Sequence, residues 1–206
     1  IYENEAINRY KVNRNLAIKG SKGKELQELK QNIENIKNCE LKKNSTNIVF
    51  SDGNPNSKIM IVGEAPGANE DLEGVPFIGK TGELLDKMLL SINLNRDNVY
   101  ITNVVNYRPP ENRNPTKEEV TRYLPYLTKH VEIINPKILI LLGSSALNSL
   151  IGDEKKISEI RGKWINTKIG KCNTSVIISF HPAFLMRQPD QKAVSYTHLR
   201  AHETLL

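Results

Sequence analysis

Residues Lys58–Asp71 read KIMIVGEAPGANED: an apolar run that stops at a glycine and gives way to a Gly-Pro turn and three acidic side chains. The run is continuously apolar rather than alternating, as in a strand buried on both faces. Three runs of the same kind follow: VYITNVV (Val99–Val105), KILILL (Lys137–Leu142) and SVIIS (Ser175–Ser179). Helical patterns lie between them. GELLDKMLLSI repeats apolar residues on one face, TKEEVTRYLPYLTKHVEII opens on Thr116 as an N-cap with acids in its first turn, and SSALNSLI follows Gly143. This alternation predicts an α/β fold, a three-layer sandwich whose central four-stranded sheet is mainly parallel and covered by helices on both sides. An earlier helix, Lys24 to Cys39, carries Leu26, Leu29, Ile33 and Ile36 and is expected to add to one layer. Parallel sheets bind ligands at the carboxyl ends of their strands. Four segments should therefore meet at one edge: GEAPG, NYRPPENRNP, GSSA and FHPAFLMR, the third reading equally well as a helix cap.

Length and charge bound the possibilities. At 206 residues, 38% hydrophobic and 25% charged, the chain suits a single catalytic domain. No apolar run reaches the roughly 18 residues of a membrane span, and the opening IYENEAINRYKVNRN lacks the apolar centre of a signal peptide, so a cytoplasmic location and no membrane partner are expected. A net charge of +6 favours a polyanionic partner. Cys39 and Cys172 are too few for a disulfide framework or a four-thiolate metal site. Residues 1–23 read as a flexible basic arm and 24–193 as the folded domain. The stretch VSYTHLRAHET, Val194–Thr204, coincides with the translation of a sequencing-library adaptor, so 194–206 are read as an artefact, and His198 and His202 as non-functional despite ligand-like spacing.

Three motifs in order, GEAPGANEDLEGVPFIGKTG (Gly63–Gly82), TNVVNYRPPENRNPT (Thr102–Thr116) and HPAFLMR (His181–Arg187), closely resemble those of the family 4 uracil-DNA glycosylases, and the resemblance runs from about Leu26 to Lys192. Phe77, a core phenylalanine if read alone, stands where that family stacks a ring on uracil. Asn103, otherwise a turn residue, matches the Asn that reads the base edge with one donor and one acceptor. His181 resembles the histidine that hydrogen-bonds uracil O2 and stabilises charge arriving on the leaving base. Glu64 and Glu70 match two glutamates near the scissile sugar, where a carboxylate orients water and offsets an oxocarbenium-like charge. Which of the two touches water stays open. Asp71 and Glu73 read as surface acids in a turn. Gly63 lets the backbone approach the base, and Ala65 occupies the place where other glycosylase families carry an Asp or Asn.

Lys80, Arg108, Arg113 and Arg187 are candidates to grip phosphates, each being an ordinary surface charge if taken singly. Leu185 or Met186 would fill the space left by an extruded base. Asn112 matches a further site position without an assigned role. The pattern breaks at the cysteines. Most members of the resembled family hold a [4Fe-4S] cluster on four thiolates, whereas here Cys39 has no second cysteine near it, and Tyr107 and Tyr123 stand at the later pair's positions. Phenols do not replace thiolates. No cofactor is expected, and Tyr107, Tyr123 and Tyr126 would pack that region instead.

The resemblance implies a monofunctional uracil-DNA glycosylase, a monomer that hydrolyses the N-glycosidic bond of deoxyuridine in single- or double-stranded DNA and leaves an abasic site. Its rival is a non-catalytic binder of uracil or abasic DNA. A DNA-crosslinking branch would carry an inserted basic loop with a histidine, which LNSLIGDEKKISEIRGKW lacks, and GKTG is too short a match for a nucleotide phosphate loop.

Overall fold

A computed structural model of the chain describes residues 21–152 and 156–200, so the basic arm expected over 1–23 falls almost wholly outside the described residues. Helix α1 (Ser21–Glu34) and the one-turn α2 (Glu40–Lys43) precede strands β1 (Asp52–Gly53) and β2 (Ile59–Gly63). Helices α3 (Ala68–Glu73) and α4 (Gly79–Leu90) lead to β3 (Tyr100–Asn103), and α5 (Lys117–Ile134) leads to β4 (Ile138–Leu142). Then come α6 (Ser144–Leu150), α7 (Ile157–Ile160), β5 (Trp164–Ile169), β6 (Cys172–Ser179), α8 (Pro182–Arg187) and α9 (Lys192–Arg200).

The sheet has six strands in the order β1-β3-β2-β4-β6-β5, not four. The four apolar runs form its parallel centre, β3-β2-β4-β6. Two antiparallel edges were not visible as buried runs: β1 is two residues long, and β5, WINTKI, keeps only Ile169 fully buried. An edge strand is half-solvated, so its sequence alternates rather than running apolar throughout.

Inside the sheet, side chains alternate between two cores. Met60, Val62, Tyr100, Leu139, Leu141, Val176 and Ile178 face one layer with α1 and α5. Ile59, Ile61, Ile101, Ile138, Ile140 and Ile177 face the other, with α4 and α8. The Thr116 cap forms as expected: its Oγ1 accepts from Glu119 N at 3.2 Å while Glu119 Oε2 accepts from Thr116 N at 2.8 Å. The first helix is shorter than expected. It ends at Glu34, the backbone turns at Asn38 with φ of 52°, and Cys39 sits at the N-cap of α2. Helix α9 includes part of the segment read as adaptor-derived, with Ser195 and Leu199 buried. No helix among the described residues is long and apolar enough to cross a membrane.

Candidate active site

Strand register brings the polar segments together. Gly63 is paired with Asn103 across β2 and β3, and just beyond them Val104 N donates to Gly63 O at 3.0 Å and Val105 N to Glu64 O at 3.3 Å. On the other side Leu142 pairs with Ser179, so His181 leaves β6 at the same edge. The result is a cavity of about 160 Å³, lined by Glu64, Ala65, Pro66, Gly67, Glu70, Phe77, Thr81, Asn103, Asn112, Arg113, His181 and Ala183. Pockets for drug-sized ligands begin near ~300 Å³. This one suits a single small ring.

Its floor is Gly63. A Cβ there would stand 2.4 Å from both Asn103 Oδ1 and the Cζ of Phe77, so only glycine lets the amide and the ring close over the strand end. Asn103 is buried, and its Oδ1 has no hydrogen-bond partner among the described residues. An unmet buried acceptor is destabilising unless a ligand donor satisfies it.

Phe77 is held under strain. Its φ is 53°, a region that bulky residues rarely adopt and that collects at functional sites. Arg96 supplies the restraint: Nη1 donates to Pro76 O at 3.1 Å, Nη2 donates to Phe77 O, and the guanidinium is tied to Asp86 at 2.8 Å and Asp52 at 2.7 Å. Burial opposes the charge on Arg96, but Asp86 and Asp52 outweigh it and hold its pKa above the ordinary value. Gly82 makes room from below, since a Cβ there would meet Phe77 O at 1.9 Å. Across the cavity the Phe77 and His181 rings lie 5.4 Å apart, tilted by 31°.

His181 caps α8: its Nδ1 accepts from Ala183 N at 3.2 Å. His181 is a lining residue of the pocket, yet burial, aided by nearby Arg187, pushes its pKa down to about 4. The imidazole is therefore neutral at physiological pH. Because Nδ1 is an acceptor, the proton sits on Nε2 as a donor.

The two glutamates differ. Glu70 is buried with both oxygens engaged, Oε2 accepting from Gly67 N and Oε1 from Ile78 N, each at 3.1 Å. Burial raises its pKa, and the backbone N–H groups partly offset that. It ties the two ends of the loop together. Glu64 is half-buried and accepts from Ser145 Oγ through Oε2. Asp71, expected at the surface, is instead buried and accepts from Thr46 N at 2.9 Å and Asn47 N at 3.2 Å, whereas Glu73 is exposed.

Around the rim, Lys80 and Arg187 are exposed, at the start of α4 and the end of α8. Arg108 donates to Asn112 Oδ1 at 2.8 Å, and Arg113 forms a two-pronged pair with Glu119 at 2.7 and 2.8 Å. Both lie in a loop where Glu111 and Asn112 have φ of 55° and 56°. On α8 the two wedge candidates part: Leu185 is fully buried in the core, and Met186 is 40% exposed. Arg96 had no sequence signal, because its partners Asp52 and Asp86 lie elsewhere along the chain, while Thr81 and Ser145 stand within the Gly63–Gly82 motif and GSSA without being singled out there.

Away from the pocket, Cys39 Sγ lies 3.4 Å from the Tyr123 hydroxyl, with Tyr107 buried beside them and the Tyr126 ring 6.2 Å from that of Tyr123. Burial lifts Tyr107 to about 12 and Tyr123 further still, so both phenols stay protonated. One thiol and two neutral phenols do not fit an iron-sulfur cluster. No group of three or more His, Cys, Asp or Glu positioned for a metal occurs among the described residues. Cys172 lies elsewhere, buried on β6 with its Sγ 3.1 Å from Asn135 Oδ1.

Comparison with known proteins agrees with this geometry. Residues 50–201 match the family model described as the Uracil DNA glycosylase superfamily. A type-4 uracil-DNA glycosylase from Pyrobaculum aerophilum is 41% identical over 80% of this chain and 86% of its own length. Those of Sulfurisphaera tokodaii and Thermotoga maritima are 40% and 43% identical, over 82% and 72% of this chain and 79% and 77% of their own lengths. A parallel sheet ending in a ring-sized polar cavity, in a chain this similar to those enzymes over most of its length, belongs to the uracil-DNA glycosylase superfamily and within it to the type-4 group.

Proposed function

We propose that the chain is a monofunctional uracil-DNA glycosylase of base excision repair, its activity residing in residues 24–193. The observation that carries this is the buried, unpartnered Oδ1 of Asn103 at the floor of a ring-sized pocket. Uracil presents an N–H at N3 to that acceptor and a carbonyl at O4 to the amide's donor. Cytosine reverses both and leaves buried groups unpaired, a mismatch that polar pockets reject strongly. An extruded uracil would lie on Phe77 with its O2 toward the Nε2–H of His181.

The C1′–N1 bond then breaks with its electron pair moving to the base, where charge spreads onto O2 and is met by the donor already in place. Water adds to C1′, and the proton it loses ends on the departing uracil anion, giving free uracil and an abasic site. Glu64 is the carboxylate available to orient the water, since Glu70 has both oxygens committed to backbone N–H groups. No lysine among the described residues lines the cavity, which supports water as the nucleophile. Lys80 and Arg187 flank the cleft as phosphate contacts, with Arg108 and Arg113 available once the loop rearranges, and Met186 is the side chain placed to enter the stack. The reaction proceeds in single- or double-stranded DNA, by a monomer, without an iron-sulfur cluster.

Incubation with a uracil-containing oligonucleotide should yield free uracil and an alkali-labile site, while a cytosine control stays intact. Asn103→Ala should lower release by roughly 100- to 1000-fold and leave salt-sensitive DNA affinity in place. Tight retention of uracil DNA without free base would instead favour a binding protein.

A further inference from the structure

The turn that follows β4 touches two members of the site without lining the cavity. Val62 pairs with Leu141, so Glu64 and Gly143 leave neighbouring strands side by side. Gly143 N donates to Ser179 O at 2.9 Å, which fixes the turn to the end of β6 two residues before His181. Gly143 has a φ of 91°, and a Cβ there would stand 3.2 Å from His181 Cβ and 3.9 Å from its Cγ, so the turn packs directly against the His181 side chain. Ser145, the next residue but one, donates its hydroxyl to Glu64 Oε2.

We propose that Ser145 is a positioning residue for the uracil-excision reaction: its hydroxyl fixes one oxygen of Glu64, and the Gly143–Ser145 turn sets the spacing between that carboxylate and His181. This rests on the role given to Glu64 above. A glutamate has three side-chain torsions, and a carboxylate on a loop samples several arrangements unless something holds it. Here one oxygen is held from β4's side of the sheet. The other, Oε1, makes no bond to the described residues and is free to hold water. Both the held oxygen and the imidazole are then referenced to the same three-residue turn.

The test compares single-turnover uracil release and oligonucleotide affinity for wild type, Ser145→Ala, Ser145→Thr and Glu64→Gln. Loss of one hydrogen bond to a charged group should slow release by Ser145→Ala roughly 10- to 100-fold, while affinity for uracil DNA and the thermal midpoint stay near wild type. Ser145→Thr keeps the hydroxyl and should recover most of the rate. A Ser145→Ala enzyme at the wild-type rate beside a Glu64→Gln enzyme that has lost release would overturn the proposal and leave the role of Glu64 intact. Wild-type release by Glu64→Gln would remove that role and this inference together. Equal loss in the alanine and threonine variants, or a lowered thermal midpoint as the sole effect of Ser145→Ala, also overturns it.

Discussion

Two polar clusters occupy this molecule, and they treat their hydrogen-bonding groups in opposite ways. Around Cys39, Tyr107 and Tyr123 the hydroxyl meets the thiol, the phenols stay neutral, and the rings fill the layer between α1 and α5. Around Gly63, Asn103 and His181 an acceptor is left unmet among the described residues, an imidazole lines the cavity and an aromatic residue is bent into a left-handed backbone. The first cluster is complete as it stands. The second is complete only with something in it, and that contrast separates packing from chemistry.

The sharpest way to break the comparison is to change a residue of the open cluster and measure both turnover and stability. Asn103→Ala or His181→Ala should lower uracil release by roughly 100- to 1000-fold, the scale of losing a preorganised donor or acceptor, with little change in thermal midpoint. Equal loss of stability would mean that the pocket is merely core. The closed cluster should behave in reverse. Tyr123→Ala removes a fully buried ring and should destabilise by about 3–5 kcal/mol in denaturant titration, while release per folded molecule holds steady.

Arg96 belongs to both kinds, being satisfied itself and imposing strain on Phe77. Arg96→Met should cost about 1–3 kcal/mol, less than the ~3–5 of a fully buried pair because Asp52 and Asp86 are each about a third exposed, and it should also weaken uracil affinity as Phe77 relaxes. Unchanged affinity would show that the ring needs no restraint.

A separate set of expected effects concerns pH. A neutral imidazole at His181 predicts kcat/KM with no inflection near 6.5 and an acid limb near 4. Stability follows the same residue. Folding depresses its pKa, so between 6.5 and about 4 the unfolded chain binds more protons and stability falls as pH falls, with no contribution above 6.5. His130, buried and depressed to about 3, extends that loss to lower pH. Tyr123→Phe deletes only the contact to Cys39 and should cost about 0.5–1.5 kcal/mol.

Much of this was legible in the chain itself. The parallel centre was readable because strands buried on both faces leave unbroken apolar runs, and the order of the motifs placed Glu64, Phe77, Asn103 and His181 at one edge. Strand β5 escaped because it mixes Trp164 and Ile169 with Asn166 and Lys168, the mark of a half-solvated edge. Asp71 looked like a surface acid because its partners, Thr46 and Asn47, lie far upstream. Neighbouring Leu185 and Met186 are equally apolar, and only the phase of α8 decides which faces out. Arg96 reaches Asp52, Asp86 and Phe77 from a loop with no motif, and a serine after a glycine looks like a cap until its hydroxyl is seen on Glu64.

Gly82 offers a remote handle on base recognition. It does not line the cavity, yet its missing methyl is the clearance that Phe77's carbonyl occupies. Alanine at that helix position would meet Phe77's carbonyl and force the left-handed backbone that carries the ring to shift. The placing of a ring in the cavity wall is thus set in part by a residue of α4 that does not itself line the cavity.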